Sequence, residues 1–334
     1  MNKTQNPQSS AKSTDPDRLL LAQLADGGLH SGADLAHLLG VTRTAVWKRL
    51  AALAARGVQL DRIRGRGYRL TQPLDLLDAG RIQAGLRADV AAVVREVRVD
   101  FFTDSTSRRL LQAPDCHGRI LLAEFQTQGR GRRGNTWVSP LGSGICMSLG
   151  WRLEAAPAGA GALSILAGAA MMRALLRLDV HGVGLKWPND LMFQGRKVGG
   201  LLIESRAQLA GPMEVVIGVG LNVRLPDGME VAGDNRPADL SQCCARLPAR
   251  NEIVVVMVEE LIDMLNVLST GDLGAYREEW RRHDSGVGHA AELRMPAESL
   301  HGLVLGISDA GLLRMNVDGV EREFASGDLS LRIR

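Results

Sequence analysis

The sequence predicts an α+β protein with a helical N-terminal domain, a central mixed α/β domain and a strand-rich C-terminal domain. Three observations support this prediction. The 334 residues are too many for one ordinary hydrophobic core. Helical spacing of apolar residues dominates the N-terminal segment, whereas short strands separated by turns follow residue 285. We place the boundaries at 1–17 for a disordered tail, 18–72, 73–284 and 285–334 for the three domains.

The composition is that of a globular cytoplasmic protein. Hydrophobic residues make up 45% of the chain, yet no apolar run is long enough to cross a bilayer. The polar N-terminal tail lacks the apolar segment of a secretory signal. Four cysteines show no C-x-x-C spacing, and we expect them to be reduced and mostly buried: Cys116, Cys146, Cys243 and Cys244.

Positive charge is concentrated in the N-terminal domain. Residues 1–72 contain 11 Lys and Arg against 5 Asp and Glu, a net charge of +6, while the remainder carries a net charge of −3. A basic module of this size attracts nucleic acid or an acidic membrane surface. The pattern within the module decides between these partners.

Three helices are predicted in this basic module. Leucines at helical spacing indicate a first helix over 18–25, which ends at a Gly-Gly pair. Ser31 and Asp34 form a capping-box pattern that begins a second helix, closed by Gly40. Thr42 caps a third helix with Val46, Leu50 and Leu53 facing inward, which is the spacing of a helix-turn-helix.

A basic hairpin follows the third helix. Residues 58–70 alternate in polarity around a Gly-Arg-Gly tip, which predicts the wing of a winged helix. We expect base contacts from the third helix and phosphate contacts from the wing, made by Arg43, Thr44, Lys48, Arg64 and Arg66. Trp47 does not suit a reading face, and packing against the first helix is the alternative. A module that binds protein, or nothing, also remains open.

The central and C-terminal elements are predicted from apolar patterns. Residues 74–87 indicate a connecting helix, 160–178 a buried helix, and 253–268 and 273–282 two further helices. Apolar strands are predicted at 94–102, 120–125, 145–149 and 215–223. A hairpin over 183–204 is expected to turn at Gln194-Gly195, with Lys186–Asp190 on its first strand. Strands at 303–307, 312–317 and 327–333 indicate a small β-barrel.

The most distinctive motif is Gly-Arg-Gly-Arg-Arg-Gly at 129–134. Three glycines expose backbone N–H groups while three guanidinium groups supply charge, a combination suited to a polyphosphate or acyl-phosphate. Lys-Trp-Pro-Asn-Asp at 186–190 and Arg-Lys-Val-Gly-Gly at 196–200 add lysines and a carboxylate. The sequence therefore predicts an anion site.

This motif also fits the dinucleotide pattern G-x-G-x-x-G. That interpretation requires a helix to begin at the third glycine, but turn-forming residues and then a second strand follow Gly134. We therefore predict a strand, a long basic loop and a strand, with the loop ordered by its ligand. A solvated arginine loop without function is the alternative.

Taken together, the three motifs and the winged helix resemble the biotin protein ligases, specifically the bifunctional ligase and biotin operon repressor family, over nearly the whole chain. The resemblance implies an α/β catalytic domain followed by an SH3-like barrel. It implies that ATP and biotin, with Mg²⁺, form biotinyl-5'-AMP, and that the biotinyl group passes to a lysine of biotin carboxyl carrier protein. It further implies repression of biotin synthesis genes through operator DNA by a ligand-linked homodimer, with biotinyl-5'-AMP as corepressor.

The resemblance also assigns site residues. The implied catalytic residues are Arg132, Lys186, Asp190 and Lys197. Asp190 either binds the metal or helps deprotonate the incoming lysine, and the metal ligands stay open. The implied ligand-binding residues are Ser105, Thr106, Ser107, Gln126, Arg130, Gly131, Arg132, Trp137, Asn189, Lys197, Gly199 and Asn222. Trp137 and Trp187 are otherwise explained as core aromatics.

Two positions depart from the family pattern. Ser107 stands where the family's D-S-T-N segment has asparagine, and Asn135 stands where the loop usually has a further arginine. Because neither change touches the lysines, we expect altered affinity rather than lost activity. Two other hypotheses remain: an adenylate-sensing transcription factor without transferase activity, and a lipoate-type acyl ligase.

Overall fold

The computed structural model describes residues 15–154, 160–206, 212–229, 236–271, 273–296, 298–327 and 329–333. The chain divides into two compact units, Met1–Leu74 and Asp75–Arg334. The predicted tail lies mostly outside the described residues, and the first helix begins at Pro16, before the predicted boundary. None of the described helices is long and apolar enough to cross a membrane.

The first unit contains three helices and a hairpin, as the sequence predicts. The helices are α1 (Pro16–Leu24), α2 (Gly32–Leu39) and α3 (Arg43–Ala54), and the hairpin strands are β1 (Leu60–Ile63) and β2 (Gly67–Leu70). The Ser31 hydroxyl accepts a hydrogen bond from the Asp34 N–H, and Thr42 caps α3 in the same way through Ala45. Both predicted N-caps are therefore present.

The hairpin is tied to the turn between α1 and α2. Tyr68 and His30 exchange two backbone hydrogen bonds of 2.9 Å. A Cβ at Gly67, whose φ is +146°, would lie 2.0 Å from the His30 carbonyl oxygen, so only glycine fits this contact. Trp47 is 45% exposed and is not a core residue, and its packing against α1 stays a prediction.

The second unit is built on a seven-stranded sheet. Its strands are β3 (Glu96–Thr103), β4 (Arg119–Gln126), β5 (Gly144–Leu153), β6 (Val183–Lys186), β7 (Asp190–Phe193), β8 (Arg196–Arg206) and β9 (Met213–Asn222). They lie in the order β3-β4-β5-β9-β8-β7-β6, and only the β3–β4 pair is parallel. The helices are α4 (Ala79–Gly85), α5 (Ala88–Val93), α6 (Thr106–Gln112), α7 (Ala160–Arg177), α8 (Arg250–Thr270) and α9 (Gly274–His283).

The main core lies between this sheet and α7 with α8. Side chains such as Leu122, Met147 and Ile217 share one hydrophobic cluster with Leu166 and Leu261. A smaller cluster beneath α6 forms around Leu110, Leu121 and Val216. Strong burial along α7 confirms the predicted buried helix.

Two local predictions were wrong, and the short helices α5 and α6 were missed. The predicted connecting helix over 74–87 is only α4, because residues 74–78 form backbone contacts with other segments instead of helical turns. Helix α6 was not predicted, since its apolar stripe is short. The Lys186–Asp190 motif is the turn between β6 and β7 rather than part of one strand, and its Trp187-Pro188 bond is cis. A proline has no N–H to donate to a strand ladder.

The C-terminal part of the second unit is an antiparallel sheet. Its strands are β10 (Ala290–Arg294), β11 (Ser299–Ile307), β12 (Leu313–Val317), β13 (Val320–Phe324) and β14 (Ser330–Ile333), in the order β13-β12-β11-β10-β14. This sheet confirms the strand-rich C-terminal region, whereas its closure into an SH3-like barrel stays a prediction.

Candidate ligand-binding site

Most of the predicted site residues line one cavity of about 160 Å³. The cavity lies among the start of α6, the basic loop after β4, the β6–β7 turn and the middle of β8 and β9. The predicted residues that line it are Ser105, Thr106, Ser107, Gln126, Arg130, Gly131, Arg132, Trp137, Lys186, Asn189, Asp190 and Lys197. Residues predicted from three separate motifs therefore meet at one place.

Two hydroxyl groups on one wall of the cavity, those of Thr106 and Ser107, are joined by the buried Ser148 behind them. Thr106 Oγ1 and Ser107 Oγ lie 2.8 and 2.9 Å from Ser148 Oγ, and Gln126 Oε1 accepts the Thr106 N–H at 2.8 Å. Ser105 caps α6 through the Arg108 N–H, so its hydroxyl has a structural role in addition to its place in the wall. Ser148 was missed, although a serine inside the apolar strand β5 was its signal.

The basic loop is folded as an irregular hairpin. Trp137 N–H donates to the Gly129 carbonyl at 3.0 Å, and a short 3-10 turn spans Arg132–Gly134. No α-helix begins at Gly134, which confirms that the motif is not a dinucleotide fingerprint. Arg130 pairs with Glu204 of β8 at 2.8 Å.

Arg132 connects the loop to two other parts of the site. Its guanidinium donates to the backbone carbonyls of Ser326 and of Gly327, the latter at 2.8 Å, and to Asn189 Oδ1 at 3.5 Å. The segment between β13 and β14 thus takes part in the site. Sequence analysis did not predict this contact, because nothing in a local pattern reports a backbone carbonyl so distant in the chain.

The two lysines lie beside a single carboxylate. Lys197 Nζ is 2.5 Å from Asp190 Oδ1 and 5.8 Å from the centre of the Trp137 ring. Burial lowers the pKa of Lys186. Among the described residues that line the cavity, Asp190 is the only acidic one, against two lysines and three arginines. The cavity is therefore suited to an anion.

Three predicted ligand contacts have structural roles here. Asn189 Nδ2 donates to the Leu201 carbonyl at 2.6 Å, and Asn222 Nδ2 donates to the Ala238 carbonyl at 3.0 Å. Asn222 lines a neighbouring cavity of about 280 Å³, which shares Lys186, Asp190 and Lys197 with the first. Gly199 lines neither cavity, and a Cβ there would lie 2.9 Å from the Gly220 carbonyl oxygen.

Two glycines of β9 make room for the side chains of the site. A Cβ at Gly218 would lie 2.6 Å from Ser107 Oγ, and one at Gly220 would lie 2.4 Å from the Trp137 ring. Both glycines line the cavity. In the sequence both glycines belong to a Gly-x-Gly-x-Asn pattern at 218–222, of which only Asn222 was predicted to contact the ligand.

The predicted DNA-contacting side chains are exposed on the first unit. Arg43, Thr44 and Lys48 lie in the first half of α3, and Arg64 and Arg66 lie at the tip of the hairpin. None of the five forms an ion pair with another residue in the part of the chain that the structure describes.

Comparison with known proteins agrees with both parts of this description. Residues 101–222 match the model of the biotin/lipoate A/B protein ligase family, and residues 18–69 match an HTH domain. The chain is 33% identical to the bifunctional ligase/repressor BirA of Escherichia coli over 94% of this chain and 96% of that protein. Its identity to the biotin--[acetyl-CoA-carboxylase] ligase of Mycobacterium tuberculosis is 32%, over 78% of this chain and 97% of that one.

A solved structure shows the same fold. Biotin protein ligase from Aquifex aeolicus, in complex with biotin and ATP, superposes with a TM-score of 0.63 at 24% identity. The match covers 72% of this chain and all of that one.

Proposed function

The chain belongs to the bifunctional ligase/repressor family, and from this premise we propose how its own residues perform biotin ligation and repression. The protein is an ATP-dependent biotin–[biotin carboxyl carrier protein] ligase and a DNA-binding repressor of biotin synthesis genes. The observation that carries the catalytic part is the convergence of Arg132, Lys186 and Lys197 around Asp190 in one cavity.

The first step joins two anions. The biotin carboxylate attacks the α-phosphorus of ATP, and pyrophosphate leaves. Lys186, Lys197 and Arg132 offset the repulsion between the reactants and the charge that develops on the phosphoryl oxygens. Because Lys186 is largely desolvated, its charge acts on the phosphate with little screening by water.

The hydroxyl wall suits the uncharged end of biotin. Thr106 and Ser107, which line the cavity, can each donate or accept a hydrogen bond, as the ureido group requires, and the buried Ser148 hydroxyl bonds to both from behind. Ser107 replaces the family's asparagine with a shorter side chain, but Ser148 extends the polar wall behind it. This arrangement supports altered affinity at this end of the ligand with ligation retained.

The residues present fit a magnesium ion that the substrate phosphates help to hold. Mg²⁺ prefers one or two carboxylates together with phosphate oxygens and water, and Asp190 supplies the one carboxylate found among the described lining residues. Among the described residues, no cluster of three or more His, Cys, Asp or Glu offers a metal site made by protein alone. When bound there, the ion would neutralise phosphate charge.

In the second step a lysine of the carrier protein attacks the biotinyl carbonyl, and AMP leaves. The attacking amine must lose a proton, and we assign the Asp190 carboxylate, which pairs with Lys197, as its acceptor. We assign these steps to residues 73–284, with residues 285–334 as an SH3-like domain that contacts Arg132.

We assign DNA binding to residues 18–72. Biotinyl-5'-AMP, as corepressor, joins two chains into a homodimer. The dimer is needed for repression, because two linked modules bind a partly palindromic site far better than one. Arg43, Thr44 and Lys48 read the operator, while Arg64 and Arg66 contact phosphates.

Pyrophosphate release tests the reaction. Purified protein is incubated with ATP and biotin, lipoate or octanoate, and then with apo carrier protein. The expected result is pyrophosphate release with biotin but not with lipoate or octanoate, followed by transfer of biotin to the carrier lysine. Release with lipoate or octanoate instead would identify an acyl ligase, and adenylate formation without transfer would identify a sensor.

Gel-shift and sedimentation measurements with and without biotin plus ATP test the repressor. The expected result is a ligand-linked dimer that binds one DNA sequence preferentially. A protein that ligates biotin but shows neither property would leave the winged helix without a regulatory function.

A further inference from the structure

A buried arginine lies behind the candidate site. Arg250, at the start of α8, is 3% exposed and pairs with Glu124 of β4, which is 4% exposed, at 2.8 Å. The Arg250 guanidinium also donates twice to the Gly144 carbonyl, at 2.6 and 3.1 Å, and once to the Asp75 carbonyl at 2.8 Å. One planar group therefore holds three separate segments.

Two of these segments are the ends of the basic loop. Glu124 precedes the loop on β4, and Gly144 is the first residue of β5 after it. Gly144 pairs with Asn222, and a Cβ on Gly144 would collide with the Leu221 carbonyl and Ser139 Oγ, so its position is tightly defined. Arg250 thus sets where the loop leaves the sheet and where it returns.

The third segment is the stretch through which the chain enters the second unit. The Leu77 N–H donates to Glu124 Oε1 at 2.6 Å, and the Asp78 N–H donates to Asn251 Oδ1 at 2.8 Å. Asn251 Nδ2 donates in turn to the Leu76 carbonyl at 3.0 Å. Residues 75–78 therefore depend on the same two adjacent side chains, Arg250 and Asn251.

Stability alone does not account for such a group. Burying an ion pair has a desolvation cost that often equals or exceeds the attraction, and apolar residues of similar volume are commonly as stable. A guanidinium instead fixes direction, because its five N–H donors form a rigid fork. The Arg250 guanidinium therefore fixes the positions of its three partners, Glu124, Gly144 and Asp75, relative to one another.

We propose that Arg250 is a positioning residue for the basic loop, and that ordering of the loop by its ligand is transmitted through Arg250 and Glu124 to residues 75–78. The proposal rests on the proposed function. It makes the amide groups of Leu77 and Asp78 reporters of the state of the ligand site, because both donate to side chains of this network.

The test compares two conservative variants with a matched control in the full-length protein. Arg250→Lys keeps the charge but loses the fork, and Glu124→Gln keeps the shape but loses the charge. Arg177→Lys is the control, because Arg177 of α7 also pairs with carboxylates of α8, Glu259 and Glu260, away from the loop. Biotin-dependent pyrophosphate release and hydrogen exchange at Leu77 and Asp78 are measured with and without biotin plus ATP.

In the unaltered protein, ligand should slow exchange at Leu77 and Asp78 by roughly 5- to 150-fold. Arg250→Lys should remove this response and lower kcat/KM for ATP by on the order of 100-fold, mainly through KM. Glu124→Gln should weaken the exchange response, whereas Arg177→Lys should retain both the response and the activity.

Distinct results would overturn each claim. An unaltered protein that releases pyrophosphate but shows no ligand effect at Leu77 and Asp78 contradicts this proposal alone. Equal losses in Arg250→Lys and Arg177→Lys also contradict it, since they indicate general destabilisation. If Arg250→Lys does not fold, a ligand response in Glu124→Gln equal to that of the unaltered protein rejects the coupling. No pyrophosphate release from the unaltered protein contradicts the proposed function instead.

Discussion

Gly220→Ala is a substitution of one methyl group that we expect to disable the ligand site. The added Cβ would lie 2.4 Å from Trp137 Cε2 and 2.8 Å from Cδ2 and Cζ2. Strand β9 cannot retreat, because Gly220 is paired with Cys146 on one side and Gly200 on the other. The Trp137 ring must therefore move.

The size of the effect follows from that displacement. The ring must shift by about 1 Å to restore ordinary contact, and a misplacement of this size can cost on the order of 100-fold in rate. The ring shares the cavity with Lys197, so its shift changes the space available to the adenylate. Overpacking should also cost about 1 to 3 kcal/mol of stability, which leaves a domain of this size folded.

The assay is biotin-dependent exchange of pyrophosphate into ATP, together with thermal unfolding. Gly32→Ala, in α2, is the control, because a Cβ there would make only ordinary contact, 3.4 Å from the Tyr68 ring, and Gly32 is not part of the ligand site. A second substitution, Trp137→Phe, should restore part of the activity of Gly220→Ala by replacing the indole with a smaller ring. A folded Gly220→Ala variant with normal exchange would refute the reasoning and remove Trp137 from the ligand site.

Three further predictions concern charge. Lys197→Ala should lower kcat/KM for adenylate formation by about 10²- to 10³-fold, or roughly 2.7 to 4 kcal/mol. The neighbouring substitution Arg196→Ala should change kcat/KM little. Equal effects of the two substitutions in a kinetic assay would contradict a specific role for Lys197. Because burial lowers the pKa of Lys186, this lysine loses its charge at lower pH than an ordinary lysine. Adenylate affinity, measured by calorimetry between about pH 7 and pH 10, should therefore fall as pH rises. Lys186→Arg should flatten this pH profile, because arginine keeps its charge. Replacing both Arg43 and Lys48 with alanine should abolish sequence-specific gel shifts, because both are assigned to base contacts, with pyrophosphate release unchanged. Loss of both activities would point to misfolding.

The features predicted correctly from the sequence are those encoded over a few neighbouring residues. The caps at Ser31 and Thr42 and the hairpin of the first unit depend on local spacing, and the buried helix α7 depends on an apolar run. The resemblance to a family added the cavity residues, which lie on several elements distant in the chain. Local pattern alone places none of these together.

The features missed depend on contacts between distant segments. Residues 74–78 lack a helix because their backbone is bound by Glu124 and Asn251. Arg250 was not singled out, since it precedes the predicted helix over 253–268 and an arginine is ordinarily exposed. The contact of Arg132 with Ser326 and Gly327 depends on backbone carbonyls, which every residue possesses and no pattern distinguishes.

The contact of Arg132 with these two carbonyls means that a ligand must compete for the Arg132 guanidinium. With its hydrogen bonds directed at two carbonyl oxygens, Arg132 already has an internal substitute for phosphate oxygens. If Arg132 binds the ligand as proposed, an incoming anion gains only the difference in free energy between hydrogen bonds to its own oxygens and those to the two carbonyls. A fully charged phosphate exceeds a neutral carbonyl as an acceptor, whereas a weak or neutral acceptor does not. The segment that contains Ser326 and Gly327 therefore favours ligands that bring a charged phosphate to Arg132 over neutral polar molecules.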